Sequence, residues 1–338
     1  MWAAALIVCL LPLLAAAQPV IPGFDRFQSL AKGEDLIASG ELLITELNCI
    51  GCHAVDKSQS HRFGTRPAPV LFTTHNPASA SWLRHWLNDP HDLKPGTLMP
   101  DLLHGLGEKE KTHAVDALRH YLVSLTPPLG NWAVTIGRAS EGKKLYETVG
   151  CAQCHSPDTK DNGKDMPLGE LQQKYTQEQL IQFLLNPLHS RPAGRMPRVP
   201  MTQQESAHIA VFLRSRTPLR KNIALANGQA ALKLRDEGKA IYQKLRCANC
   251  HSTRGSNIPP NLSKPLAKLD TTQGCLSVKP PKGAPHFHLK PKQIKAITAA
   301  LRAKPREFTV QEQSHRRMRL LNCTACHTRD GLGKPDPT

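Results

Sequence analysis

Four times along 338 residues the chain repeats Cys-x-x-Cys-His, at Cys49 to His53, Cys151 to His155, Cys247 to His251 and Cys323 to His327, using eight of its ten cysteines. Two thiols three residues apart can each add to one vinyl group of a single porphyrin. The histidine beside the second thiol then falls beneath the iron, which makes the pattern an attachment signature for c-type haem. Other uses of paired cysteines fit less well. A structural zinc site needs a second cysteine or histidine pair within about 15 to 20 residues, and here the next pair lies about a hundred residues away. Neither a thioredoxin-like pair nor a disulfide framework gives a reason for a histidine behind every pair. The expectation is haem c at four sites, held by Cys49 and Cys52, Cys151 and Cys154, Cys247 and Cys250, and Cys323 and Cys326. His53, His155, His251 and His327 are the first iron ligands.

The repeat extends beyond the motif when the four stretches are aligned on the first cysteine. Nine residues upstream stand Gly40, Gly142, Gly238 and Ser314; five upstream stand Ile44, Tyr146, Tyr242 and Met318. Helical periodicity over 41–47, 141–149 and 237–245 places the small and the bulky residue in one contact, where a second helix can cross closely. Downstream, Trp82 to Pro90 parallels Leu180 to Pro187, each a helix stopped by proline. Loops carrying Met99-Pro100 and Met196-Pro197 follow, and then closing helices with Val115, Leu118 and Leu122 or with Ile209 and Phe212 inward. Capping boxes at Thr176 to Gln179 and Thr202 to Glu205 mark two helix starts. The order is helix, motif, helix, methionine loop, helix.

In that order, with the Gly-x-x-x-Tyr helix, Cys-x-x-Cys-His and the Met-Pro loop, the chain resembles class I c-type cytochromes over most of residues 34–304. It also looks like the tandem cytochrome segments of some large multidomain bacterial proteins. The resemblance implies an all-α fold of tandem small helical modules, each built round a covalent haem: 34–127, 137–217, 230–304 and an incomplete segment at 308–338. It also implies Met99 and Met196 as sixth ligands of haems one and two, with Met201 and then Met166 the weaker competitors of Met196. Only 5% of residues are aromatic, so buried porphyrin is expected to fill part of each core. The third stretch departs from the pattern. It has no methionine loop but Gly274-Cys275-Leu276, then His286 and His288, the candidate distal ligands of its haem; a Cys275 thiolate or an open position are the alternatives. In the fourth, eleven residues follow His327, too few for a distal loop and a closing helix, and Arg317 stands where the other copies have Leu43, Leu145 and Ile241. Its completion by further chain or by a partner is expected.

The apolar run Ala3 to Leu14 followed by Ala15-Ala16-Ala17 reads as a cleaved export signal over residues 1–17, removing Cys9, and it is short for a membrane span. Export agrees with haem attachment in the periplasm. Lys and Arg number 44 against 27 Asp and Glu, a net charge of +17, which haem propionates would bring down to about +13. Such a surface suits acidic redox proteins or peripheral contact with an anionic membrane, and with no recognition motif present nucleic acid is not an expected partner. Lys264, Lys268, Lys279, Lys282, Lys290, Lys292 and Lys295 crowd the third stretch. The expected function is single-electron relay between redox partners rather than catalysis. The alternatives are a haem enzyme of the di-haem peroxidase type, open at the third stretch, and an electron-entry segment of a larger oxidoreductase. Intact mass spectrometry of the mature chain is expected to read the mass of four haems above that of a polypeptide lacking residues 1–17.

Overall fold

Local capping signals mark where several of the helices begin. In the computed structural model, which describes residues 19–25, 35–66, 68–71, 79–126, 135–157, 166–192, 194–217, 219–251 and 263–331, the chain is mostly helical. The expected leader at 1–17 lies outside the described residues. The helices are α1 (Pro22–Asp25), α2 (Asp35–Glu46), α3 (Ala80–Asn88), α4 (Pro90–Leu93), α5 (Glu108–Leu125), α6 (Ala139–Thr148) and α7 (Leu171–Lys174), followed by α8 (Gln177–Leu185), α9 (Pro187–Ser190), α10 (Gln203–Ser215), α11 (Gly228–Lys244), α12 (Pro291–Arg302) and α13 (Val310–Leu320). Thr176 and Gln179 form the expected capping box on α8, Thr202 and Glu205 on α10, and Thr309 and Glu312 repeat the device on α13. Asp89 and Asn186 both stop one helix and cap the next, each with proline at the first helical position. A two-residue parallel pair, β1 (His155–Ser156) with β2 (Met166–Pro167), lies beside the second motif. Among the described residues no helix is long and apolar enough to cross a membrane.

The small residue nine positions before each of the first three motifs does what its spacing predicts. A Cβ on Gly142 would run into the carbonyl oxygen of His208 and stand 2.8 Å from the Phe212 Cβ, so α6 crosses α10 backbone against backbone. Gly40 meets Ala296 and Ala300 of α12 in the same way, with a Cβ 2.7 Å from that of Ala300, and Gly238 meets Ala117 and Tyr121 of α5. The partners differ in kind, however. The second stretch closes on its own last helix, whereas α2 of the first stretch pairs with the closing helix of the third, and α11 of the third pairs with the closing helix of the first. Contiguous modules at 34–127 and 230–304 are therefore not how these helices pack. Sequence periodicity finds each helix but does not choose between two equally small-faced partners.

Three apolar clusters follow from this pairing. Leu43, Ile44 and Leu47 of the first stretch pack with Leu266, Ala296, Ile297 and Ala300 of the third, with Phe24 of α1 buried among them. Trp82, Leu83, Leu103, Leu118 and Leu122 of the first pack with Tyr242 and Ala248 of the third. Tyr146, Leu180, Ile181, Ile209 and Phe212 form the third cluster within the second stretch. Gly40→Ala must push α2 off α12 and is expected to lower stability by about 1–3 kcal/mol or more, read as a lower denaturant midpoint at unchanged m-value.

Candidate haem-attachment sites

All four motifs are built on one local frame. The preceding helix ends, one residue takes a left-handed conformation, and a 3-10 turn begins on the first cysteine, over Cys49–Gly51, Cys151–Gln153, Cys247–Asn249 and Cys323–Ala325. The left-handed residues are Asn48, Gly150, Arg246 and Asn322. Glycine and asparagine accept that region readily; arginine does so at a cost of about 1–2 kcal/mol. The histidine amide then bonds back to the first cysteine's carbonyl, at 3.0 Å for His53, 2.8 Å for His251 and 3.0 Å for His327. First thiol and imidazole thereby lie one turn apart. None of the nine described cysteines forms a disulfide.

The imidazoles are held by backbone carbonyls. Nδ1 of His155 lies 3.3 Å from the oxygen of Met166, within its own stretch. Nδ1 of His53 lies 2.7 Å from the oxygen of Lys264, and that of His251 lies 2.9 Å from the oxygen of Pro69. A carbonyl partner requires the proton on Nδ1 and leaves the Nε2 lone pair for a metal. Two thiols outside any disulfide and an Nε2 donor on one turn are the donor set that thioether-linked haem needs, so the residues fit the group. Tyr146 and Tyr242 hydroxyls donate to the carbonyls of His155 and His251 at 2.5 and 2.8 Å. Ile44, at the matching position in the first stretch, has no such hydroxyl.

The expected distal residues are placed as follows. Met196 and Met201 both pack against the third cluster's core together with Cys151, while Met166 pairs in register with His155 and so lies on the imidazole's side. Met99 does not reach the first motif's cluster. Its sulfur accepts from Trp86 Nε1 at 2.9 Å, and Trp86, like Cys247, packs against the cluster that holds Ala248 of the third motif. The rings of His286 and His288 stack at 3.7 Å and meet His104 at 5.1 Å and His91 at 4.4 Å. The two distal loops run side by side there, joined by reciprocal backbone hydrogen bonds, the Asp101 amide donating to the His286 carbonyl at 2.9 Å and the His286 amide to the Asp101 carbonyl at 3.1 Å. His288 has a positive φ of 53°. At the fourth motif Cys326 and His327 are exposed, unlike their counterparts in the other three.

The motifs come together in pairs, which their spacing in sequence did not suggest. Asn48 Nδ2 reaches Cys250 Sγ at 3.5 Å and Asn249 Nδ2 reaches Cys52 Sγ at 3.3 Å, setting the first motif against the third. Asn322 Nδ2 reaches Cys154 Sγ at 3.8 Å, setting the fourth against the second. Burial pushes the Cys49 and Cys247 thiols up to about 12. Burial also lowers the imidazoles of His251, His286 and His288, which favours their neutral, ligand-competent form. A seam of cations lies between the second and third clusters. Lys174 Nζ sits 4.7 Å over the Trp82 ring, Arg191 donates to the Tyr175 hydroxyl at 2.5 Å, and Lys94 is pushed down to about 8 by burial, with Arg191 and Arg66 adding to the effect.

Residues 139–217 match the profile of the cytochrome c family. The second stretch is thus a cytochrome c domain, which implies covalently bound haem c and suggests haem-based electron transfer. Over 108 residues the chain is 32% identical to cytochrome c oxidase subunit 2 of Bacillus subtilis (strain 168), a match spanning 30% of this chain and 29% of that protein. It is 35% identical over 102 residues to cytochrome c oxidase subunit 2 of Bacillus sp. (strain PS3), spanning 27% of each. The chain covers under a third of the length of these relatives. No solved structure matches. Because the Tyr242 hydroxyl fixes the turn that presents His251, Tyr242→Phe is expected to cost about 1 kcal/mol of stability, measured by denaturant unfolding of the haem-loaded chain.

Proposed function

Starting from the cytochrome c domain at 139–217, we propose that the protein is a multihaem c-type cytochrome that relays single electrons between redox partners. The observation that carries this reading is the recurrence of one frame: helix, left-handed residue, 3-10 turn with two thiols, and, in the first three copies, an imidazole whose Nδ1 is held by a carbonyl. Bound haem would supply an iron that changes oxidation state by one electron. The chain's own groups do the rest. Cysteine thioethers fix position, the carbonyls of Lys264, Met166 and Pro69 orient His53, His155 and His251, and Met196 and Met99 offer soft sulfur ligands that raise a reduction potential. His327 is the matching ligand of the fourth site. The half-buried cations Lys94, Lys174 and Arg191 gather where negative charge would relieve their mutual repulsion, and propionate carboxylates carry that charge. The paired motifs support electron transfer within the chain, since thiols of neighbouring sites share asparagine contacts.

This reading places the mature chain in the periplasm after cleavage at residue 17, with a positive surface turned to acidic redox proteins or an anionic membrane. The seven lysines of the third stretch, all exposed, are the docking face it favours. The relatives are oxidase subunits by name, which favours, as a second reading, a segment that passes electrons into a larger oxidoreductase. A spectroscopic redox titration tests the proposal. Met196→Ala is expected to abolish one far-red methionine-to-iron band and to lower one potential while the attached haem count stays the same; Met201→Ala is expected to leave both in place. A chain that takes up no haem, or one whose potentials ignore Met196, overturns it.

A further inference from the structure

Resting on the haem-binding reading above, the geometry points to two composite sites: the haem on Cys247 and Cys250 takes Met99 of the first stretch as its distal ligand, and the haem on Cys49 and Cys52 takes a methionine-free distal wall from the third. The iron without methionine is then the first, not the third.

Four independent contacts agree. The helix leading into the third motif crosses α5 through Gly238, and that leading into the first crosses α12 through Gly40, while the second stretch crosses its own α10 through Gly142. The proximal carbonyls are exchanged in the same sense, Pro69 serving His251 and Lys264 serving His53. So are the backbone bonds beside them. The Ala68 amide donates to the Cys250 carbonyl at 3.0 Å and the Leu266 amide to that of Ala54 at 2.8 Å, matching Met166 to Cys154 and Leu168 to Ser156 inside the second stretch. Finally, Leu98 packs on the same cluster as Cys49 and Ile50, whereas the next residue, Met99, is hydrogen-bonded to Trp86, which packs on the same cluster as Cys247.

The wall facing the first motif is apolar, made by Leu269, Leu276, Phe287 and Leu289. His286 and His288 turn instead toward His104 and His91 of the first stretch's distal segment. Cys275, the chain neighbour of Leu276, is the half-buried polarisable group beside this wall. The pattern of helix residues agrees as well. The two helices with a tyrosine that bonds the motif histidine's carbonyl, α6 and α11, are the two joined to methionine loops, and α2, which has Ile44 there, is joined to the loop without one. Methionine loss lowers a potential, so the first site is the low-potential or ligand-accepting one.

The test labels single haems in the full, haem-loaded chain. Cys49→Ala or Cys247→Ala leaves one thioether each and displaces the α band of that haem alone. Adding Met99→Ala is expected to abolish a far-red band and to lower the potential of the haem labelled by Cys247→Ala, leaving the one labelled by Cys49→Ala unmoved. Trp86→Phe, which keeps an aromatic side chain and deletes the hydrogen bond to the sulfur, is expected to shift the potential of the same Cys247-labelled haem if Met99→Ala does not hold its fold. A shift that follows the Cys49 label, or none on either, overturns the exchange while the haem count by mass stays intact. Absence of haem from every variant sinks the relay reading itself.

Discussion

A helix crossing made without a Cβ governs the rest of the architecture. At Gly40, Gly142 and Gly238 the backbone of the motif-bearing helix lies directly on a carbonyl of its partner, and any larger residue would hold the axes apart. That approach fixes the helix end, and the helix end fixes the left-handed residue and the turn on which two thiols and an imidazole are displayed. Tyr146 and Tyr242, four residues beyond the glycine, then tie the same crossing to the histidine by a hydroxyl bond and pack on Phe212 and Tyr121 at 5.6 and 5.4 Å. Position of the donor set is thus inherited from one contact nine residues upstream.

Charged groups lock the stretches to one another. Glu41 and Glu46, both buried on α2, each take two arginines: Arg62 and Arg316 on the first, Arg66 and Arg195 on the second. Arg62 also donates to Ala300 and Ala303 at 2.7 and 3.2 Å, and Arg195 to Leu320 at 3.0 Å. One helix of the first stretch is therefore ion-paired with arginines of the first, second and fourth, and Arg62 carries the link on to the third. Buried ion pairs contribute more to geometry than to net stability, yet removing one member strands a buried charge at a cost of about 3–5 kcal/mol. Their role here is register.

The donors, the helices and the glycine crossings were legible because each rests on local spacing: Cys49 to His53, Gly40 to Cys49, Thr176 to Gln179. Choice of partner was not. Ala296 and Ala300 present to Gly40 the same small face that a closing helix of its own stretch would need, so periodicity serves both pairings. The signal was present in the mismatch between Ile44 and the methionine loop that follows it, and between Tyr242 and the loop that lacks one. The carbonyls of Lys264 and Pro69 could not be found from side-chain types, since any residue supplies a carbonyl. Arg246, in a left-handed conformation that its own propensity opposes, is held there by the turn it begins.

Exchange also sets an order of assembly. As the chain is made, the thiols of Cys49 and Cys52 precede Lys264 and Ile297 by about two hundred residues, so the first pocket has no roof until most of the polypeptide exists. The second stretch, with local partners only, can close at once, and the third motif meets α5 as soon as α11 forms. High contact order is thereby concentrated in the pocket nearest the start of the chain. Of the first three sites, the first to be synthesised is the last to be walled in.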